Sequence, residues 1–205
     1  MSGPAYRVQT ARLVLRCWRP EDATLLEQAV VESLDHLRPW MPWAADEPID
    51  RSARIELLRT FRGRFDLGEE FVYAIFDRGE SRVLGGTGLH LRSGPTTREI
   101  GYWIHADHVG QGLATEAAGA LTRIAIEIDA VSRVEIRCDP ANAASARVPA
   151  KLGFRHEATL RQVLTGADGS PRDAMVWALL AADHHGSPAA AIELAAFDAA
   201  GVRLL

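Results

Sequence analysis

The first candidate for chemistry is a two-glycine turn, which follows a predicted strand and opens a predicted helix. Its sequence is His108-Val109-Gly110-Gln111-Gly112-Leu113-Ala114-Thr115. The first N–H groups of a helix have no internal partner and lie at the positive end of the helix dipole. Glycines let the backbone adopt positive φ and approach an anion closely. The turn is therefore suited to a pyrophosphate, although a plain strand-to-helix turn would have the same pattern.

The spacing around this turn excludes two common phosphate motifs. No lysine follows the second glycine, Gly112, so the turn is not a Walker P-loop. It also lacks the third glycine of the G-x-G-x-x-G dinucleotide fingerprint. If the turn binds a phosphate group, it does so as part of another kind of fold.

A second candidate is the predicted helix that begins at Asn142 and ends at Gly153. Asn142 suits the N-cap, and Gly153 suits the left-handed position after the last turn, so both have structural reasons to be there. Ser145 has no such reason, because serine inside a helix is mildly unfavourable. Pro149 cannot donate to the carbonyl of residue 145, and its ring pushes on that carbonyl. We therefore expect a helix that is kinked or loosened beside Ser145.

The elements that position these segments follow from hydrophobic periodicity and turn residues. Strands are predicted at 12–18, 71–76, 82–91, 99–104, 134–138, 154–163 and 174–180. Helices are predicted from Pro20 to about Val31 and over 50–66, 114–128 and 142–152. Helices mixed with short-connected strands predict an α+β fold with a mostly antiparallel sheet of about seven strands and about four helices.

An aromatic loop separates the first two helices. Pro39, Pro42 and Pro48 exclude a regular helix over 36–49, and Trp40 and Trp43 lie between them. Large apolar side chains in such a loop either pack on their own core or form one wall of a substrate cleft.

The chain is expected to divide into a domain over 1–183 and an appendage over 184–205. The run from His184 to Pro188 interrupts the pattern and is typical of a linker. Residues 191–205 are apolar and predict a hairpin that turns at Gly201, or an amphipathic helix. The segment could form a homodimer contact, a lid, or a strap across its own subunit.

Composition restricts the function classes. The 205 residues carry a net charge of -4 with a pI near 6.0, whereas nucleic-acid binders are more often basic. We find no signal-peptide pattern and no run of about 18 apolar residues, so we expect no membrane contact and a cytoplasmic location. Cys17 and Cys138 are far apart and follow no metal-ligand spacing, which predicts two reduced thiols and no metal site.

Five segments together resemble the GNAT superfamily of N-acetyltransferases, and in particular its ribosomal-protein (alanine/serine) N-terminal branch. The resemblance spans about residues 10–183. The matching segments are Leu13–Arg16, His36–Trp43, Glu99–Ile104, Gly110–Ala117 and the pattern Asn142-x-x-Ser145-x-Arg147-Val148-x-x-Lys151-Leu152-Gly153-Phe154.

The resemblance implies acetyl-CoA as co-substrate, bound at a V-shaped opening between the fourth and fifth strands, 99–104 and 134–138. Its pantetheine arm would pair with Tyr102, Trp103 and Ile104, and a backbone N–H near Ile104 would meet the oxyanion. Its pyrophosphate would bind the turn from Val109 to Thr115, where Val109 replaces the family's usual Arg or Gln. Contacts to the arm and phosphates would come from Asn142, Arg147 and Lys151, although surface charge is an alternative for the last two.

The resemblance also implies residues for the chemistry. Ser145 would protonate the departing thiolate, or at least hydrogen-bond the sulfur. Glu99 matches the family's base, often acting through water, but it could equally be a strand charge paired with Arg98 or Arg7. His105 and His108 are further base candidates.

The acceptor is expected to be a primary amine that meets Trp40, Trp43 and Glu99. An α-amine, with a pKa of about 7.7–8.0, is partly neutral near pH 7, whereas a lysine amine, near 10.4, needs a stronger base. The acceptor could be a protein N-terminus or a small-molecule amine. The alternative function is a non-catalytic acyl-CoA-binding sensor or interaction module.

Overall fold

The structure, a computed structural model, describes residues 5–92, 94–166 and 168–205. Its centre is a sheet of nine strands in the order β7-β8-β6-β5-β4-β3-β2-β1-β9. Within the described sheet, β5 and β6 are parallel neighbours and the other pairs are antiparallel. The strands are β1 Arg7–Gln9, β2 Leu13–Cys17, β3 Phe71–Asp77, β4 Val83–His90, β5 Thr97–Ile104, β6 Arg133–Cys138, β7 Arg155–Thr165, β8 Pro171–Leu180 and β9 Ala195–Phe197.

Six α-helices accompany this sheet in the described part of the chain. Four have nine residues or more and correspond to the predicted helices, while α2 and α6 are single turns of four residues. The helices are α1 Ala23–Val31, α2 Leu34–Leu37, α3 Arg51–Leu67, α4 Leu113–Arg123, α5 Ala143–Lys151 and α6 Ala181–His184. The α+β prediction is confirmed. No helix among the described residues combines the length and apolar character needed to cross a membrane.

The strand count differs from the predicted seven because two short strands extend one edge. β1 has three residues, too few for an alternating pattern to stand out in the sequence, and β9 is part of the predicted C-terminal hairpin, which the seven strands did not include. β1 pairs with β2 on one side and with β9 on the other.

The sheet separates two hydrophobic cores, and this separation decides which side chains share a site. One core joins Ile100, Ile136 and Leu121 on the face covered by α4 and α5. The other joins Val14, Phe76 and Leu58 on the face covered by α1 and most of α3. We call these the α4–α5 face and the α1–α3 face. Because successive residues of a strand point to opposite faces, the side chains of β5 divide between them.

The C-terminal residues cross the α4–α5 layer and reach the far edge of the sheet. His184 is buried, with Nε2 3.0 Å from Glu127 Oε1. Ile192 packs so closely on α4 that a Cβ built on Gly119 would lie 2.7 Å from its Cγ1. β9 then pairs with β1 of the same chain, and a bridge between Phe197 and Arg203 closes a hairpin. The segment is thus a strap on its own subunit, while the domain boundary at residue 183 stays a prediction.

Candidate functional site

The sheet opens where β5 and β6 stop pairing. Their parallel register runs from Thr97 opposite Arg133 to Ile100 opposite Ile136, and β5 then continues to Ile104 paired with β4 alone. His105 N–H donates to Leu84 O on the β4 side at 2.8 Å. Since alternate residues of a strand direct their backbone groups to the same side, those of Tyr102 and Ile104 face the opening. This free edge can pair with an extended ligand.

The two-glycine turn lies just beyond the end of this edge. Gly110 and Gly112 have φ of 75° and 79°, and α4 begins at Leu113. In the part of the chain that the structure describes, the backbone N–H groups of residues 110–115 donate no hydrogen bond to the protein. A row of unpaired donors at a helix N-terminus is a site for an anion.

Arg12, from the turn between β1 and β2, holds this anion site in place. Its Nη1 donates to Gln111 O at 2.8 Å, and its Nε donates to Glu116 Oε2 at 2.6 Å. A depression of about 460 Å³ flanks the turn on this side, with Arg12, Arg82 and His108 in its wall. Asp77 lies in the same wall and Glu116 balances the charge of Arg12, so the unpaired N–H groups themselves are the main attraction for phosphate.

Ser145 lies across the opening from β5 and is linked to Tyr102. The Tyr102 hydroxyl is 3.1 Å from Ser145 Oγ and 3.2 Å from the Ser145 carbonyl oxygen, to which it donates. Asn142 Oδ1 accepts from Ser145 N–H at 3.0 Å, so the predicted N-cap is confirmed. Pro149 leaves the Ser145 carbonyl without a helical donor, yet α5 continues to Lys151. The Tyr102 hydroxyl takes the place of the missing donor.

A buried thiol completes this cluster. Cys138 is 7% exposed, and burial raises the pKa of its thiol. Burial likewise raises the pKa of Tyr102. Both groups are therefore protonated near neutral pH. Cys17 and Cys138 are free thiols, as the sequence predicts.

Arg147 and Lys151 lie on the exposed side of α5. Among the residues described, neither has an ion-pair partner. Both side chains are thus available to an anionic ligand that reaches past the turn.

Glu99 occupies the α1–α3 face, opposite the cluster of Ser145. It is 6% exposed, with Oε1 2.8 Å from Arg92 Nη1 and Oε2 3.5 Å from Arg137 Nε. The expected partners were Arg98 and Arg7, but Arg98 points to the other face, where Asp129 Oδ2 is 3.4 Å away, and Arg7 pairs with Glu80. The difference follows from strand alternation, which puts neighbouring residues on opposite faces.

The aromatic loop covers the same α1–α3 face. Trp43, 40% exposed, makes an edge contact with Trp103 at 6.1 Å between ring centroids, while Trp40 is half-buried on the same loop. Arg54 of α3 holds this loop through a buried ion pair in which its Nη2 is 2.6 Å from Glu47 Oε2. The loop is therefore a fixed wall beside β5.

The two other histidines considered as bases lie at the far end of β5. His105 is buried; its Nδ1 accepts from Asp107 N–H at 3.2 Å and its Nε2 is 3.0 Å from Glu32 Oε2. His108 lies beside the anion turn, with its ring 5.4 Å from that of His105. Both are beyond Ile104, away from the point where the strands separate.

Sequence reasoning missed a histidine at that point. His90 Nδ1 is 2.7 Å from Glu70 Oε1, and its ring covers Gly88 and Gly101 on the α1–α3 face. Cβ atoms built on these glycines would lie 3.0 and 3.2 Å from His90 Nε2. A glycine inside a strand often indicates that another group packs closely against the backbone. Gly86, Gly88 and Gly101 are such glycines, and they were the only hint in the sequence that a ring lies over these strands.

Among the described residues, no group of three or more His, Cys, Asp or Glu side chains is placed so that it could hold a metal ion.

Comparison with known proteins gives a consistent result. The family described as "Acetyltransferase (GNAT) domain" matches residues 12–155. The chain is 30% identical over 186 residues to the [ribosomal protein uS5]-alanine N-acetyltransferase of Escherichia coli (strain K12), covering 88% of this chain and 93% of the relative. It is 27% identical to the putative ribosomal N-acetyltransferase YdaF of Bacillus subtilis, covering 85% and 94%.

A solved structure agrees with this assignment at the level of the fold. Mycobacterium smegmatis RimJ, in complex with CoA-disulfide, superposes with a TM-score of 0.78 at 24% identity, covering 92% of this chain and 94% of that one.

Proposed function

The chain belongs to the GNAT acetyltransferase family and is an N-acetyltransferase, and on that premise we propose that it transfers the acetyl group of acetyl-CoA to the α-amine of a protein N-terminus. One observation carries the proposal. The free edge of β5 leads directly to the unpaired N–H groups of residues 110–115. An extended arm that ends in a pyrophosphate matches an open strand edge followed by an anion turn.

Each part of acetyl-CoA has residues suited to hold it. The N–H groups of Gly110–Thr115 receive the pyrophosphate, so Val109 loses only a side-chain contact. The backbone of Tyr102 and Ile104 pairs with the pantetheine arm, and Asn142 borders it. Arg147 and Lys151 are free to contact phosphates. Bound there, acetyl-CoA supplies an activated thioester.

The residues around the opening then act on charge and protons. A backbone N–H that faces the opening, at Ile104 or Tyr102, stabilises the negative charge that develops on the carbonyl oxygen. Ser145 and Tyr102 form a pair of hydroxyls on the α4–α5 face, in which Tyr102 orients Ser145 and Ser145 supplies a proton to the leaving thiolate. Because burial raises the pKa of Tyr102, its hydroxyl stays protonated and keeps donating to the Ser145 carbonyl oxygen during the reaction.

The acceptor reaches the opening from the α1–α3 face. Trp43 and Trp103 provide an apolar wall, and the carboxylate of Glu99 borders the same face, where it can accept a hydrogen bond from the amine. The relatives are named for ribosomal proteins, which favours the N-terminus of a ribosomal protein, acetylated in the cytoplasm, as the acceptor. An α-amine also releases its proton more readily than a lysine does.

A thiol-release assay tests the proposal. Purified protein is given acetyl-CoA with peptides copied from ribosomal-protein N-termini, the same peptides with a blocked α-amine, and a panel of small amines. We expect CoA release with the free peptides alone. Release with small amines alone would assign a small-molecule acceptor. Tight acetyl-CoA binding by calorimetry without turnover on any amine would favour the sensor and contradict the proposal.

A further inference from the structure

His90 lies where β5 leaves β6. On the α1–α3 face, Gly86, Gly88 and His90 of β4 are opposite Trp103, Gly101 and Glu99 of β5. Gly101 is the first residue of β5 beyond its last pairing with β6, and the imidazole covers it. The glycines leave room above the sheet that the ring fills.

The proposed donor brings its thioester to the same point. Its phosphates bind after the end of β5, and its arm runs back along the edge from Ile104 towards Gly101, roughly 10 Å away at the usual rise per residue. The reacting carbon then lies in the opening between the two faces. An amine that arrives from the α1–α3 face passes His90.

The contact with Glu70 prepares His90 as a base. An ionised carboxylate accepts hydrogen bonds and cannot donate them, so Nδ1 carries the proton and Nε2 keeps its lone pair. Burial acts to raise the pKa of Glu70, but its hydrogen bonds with His90 and Arg64 outweigh the effect of burial, and that pKa is lowered. Among the described residues, Nε2 has no hydrogen-bond partner. The same arrangement orients the histidine of hydrolase triads.

Glu99 is less suited to this task. Its two oxygens each lie beside a guanidinium, of Arg92 and of Arg137, so its negative charge is already balanced and it is held by fixed partners. Its register position opposite His90 places it at the border of the acceptor path.

We propose that His90 is the general base of the reaction and that Glu70 is its positioning residue; this rests on the function proposed above. The neutral α-amine forms a bond to the thioester carbon, and the carbon–sulfur bond breaks. The amine's proton passes to His90 Nε2. The sulfur keeps the electron pair of the broken bond and takes the hydroxyl proton of Ser145, which water then replaces. The products are the acetylated amine and CoA thiol, and His90 returns its proton to water.

Several charged groups face His90 and set the pH dependence together. They belong to the segment before β3, to α3, and to the strands on either side. They are Glu69 and Glu70, Arg64, Arg92, Glu99, and Glu135 with Arg137. We assign the lower-pH limb of the rate profile to His90, because it is the group that covers Gly101 at the opening and that Glu70 orients.

The test compares kcat/KM against pH for the wild type, His90→Gln and Glu70→Gln on a peptide with a free α-amine. His185→Gln is the matched control, because His185 is exposed in the C-terminal segment. We expect His90→Gln to lose about 10²-fold in kcat/KM. Its profile should also lose the lower-pH limb and follow the ionisation of the amine near 7.7–8.0 alone. Glu70→Gln should lose less and shift the limb to lower pH, because the carboxylate no longer stabilises the imidazolium.

A second variant separates chemistry from folding. His90→Ala leaves a gap over Gly88 and Gly101 that free imidazole fits, so added imidazole should restore activity in a saturable manner. Acetyl-CoA affinity by calorimetry should match the wild type in every variant. Activity of His90→Gln equal to that of His185→Gln, or no rescue by imidazole, would overturn the role of His90. An inactive wild type would instead overturn the proposed function, and the role of His90 with it.

Discussion

The hydroxyl of Tyr102 lies 3.1 Å from Ser145 Oγ and also donates to the Ser145 carbonyl oxygen at 3.2 Å. That carbonyl is the one from which Pro149 removes the helical N–H donor. Pro149, which is unfavourable inside a helix, thus leaves the Ser145 carbonyl oxygen free to accept a hydrogen bond from across the opening. The contact fixes the orientation of Ser145 towards the free edge of β5.

Removal of the Ser145 hydroxyl should affect chemistry more than binding. We expect Ser145→Ala to lower kcat by about 10²-fold, because the thiolate loses its proton donor. The acetyl-CoA dissociation constant from calorimetry should change little. Ser52→Ala, on the exposed side of α3, is the control. An unchanged kcat would remove Ser145 as the acid.

Tyr102→Phe tests whether the two hydroxyls act as one unit. If Tyr102 orients Ser145, the double variant with Ser145→Ala should be hardly slower than Ser145→Ala alone. Rate losses that multiply would show that the two residues act independently.

A side chain at Gly112 should damage donor binding. Its φ of 79° is strained for any L residue, so Gly112→Val should turn the N–H groups of the anion site away from the pyrophosphate. We expect the acetyl-CoA dissociation constant to rise at least about tenfold, since a distorted site loses more than about 1.4 kcal/mol of binding. Gly186→Ala is the control, because open space surrounds it. Wild-type affinity in Gly112→Val would refute the pyrophosphate assignment.

The buried pair of Arg54 and Glu47 should control the stability of the aromatic loop. Arg54→Met leaves the buried Glu47 carboxylate without its counter-charge, although the Ile49 N–H still donates to it, and we expect the free energy of unfolding to fall by about 3–5 kcal/mol. Arg59→Met removes an exposed pair with Glu56 and should change it by less than about 1 kcal/mol. Urea unfolding measures both. Similar losses in the two variants would show that the buried pair has no special role.

Glu116 gives a pH dependence of stability. Burial acts to raise its pKa, but hydrogen bonds from Thr10 and Arg12 and the charge of Arg12 bring it below the ordinary 4.5. A carboxyl group whose pKa is lowered by folding stabilises the fold above pH 4.5. This stabilisation is lost as the pH falls through the pKa of the folded state. Glu116→Gln should therefore be less stable than the wild type at neutral pH, and urea unfolding should show the difference shrinking below pH 4.5. A difference independent of pH would contradict this assignment.

The features that sequence could predict are local. The caps at Asn142 and Gly153, the positive φ of Gly110 and Gly112, and the strands of the central sheet depend on neighbouring residues and were confirmed. β1 escaped prediction because three residues carry no usable periodicity, whereas β9 belongs to the predicted C-terminal hairpin.

The features that sequence could not predict depend on register between distant segments. His90 gains its position only because β4 and β5 pair with Gly88 opposite Gly101. The Tyr102 hydroxyl reaches Ser145 only because β5 and β6 separate in front of α5. Strand alternation alone excludes Arg98 as a partner of Glu99. The partners that Glu99 does have, Arg92 after β4 and Arg137 on β6, could not be chosen from the sequence.

The most direct measurement is mass spectrometry of a single peptide that carries both a free α-amine and a lysine, after incubation with the protein and acetyl-CoA. Fragmentation locates the acetyl group. The account predicts acetylation at the α-amine alone, and none on the same peptide once that amine is blocked. Acetylation of the lysine in the blocked peptide, or no acetylated peptide while acetyl-CoA binds, would contradict it.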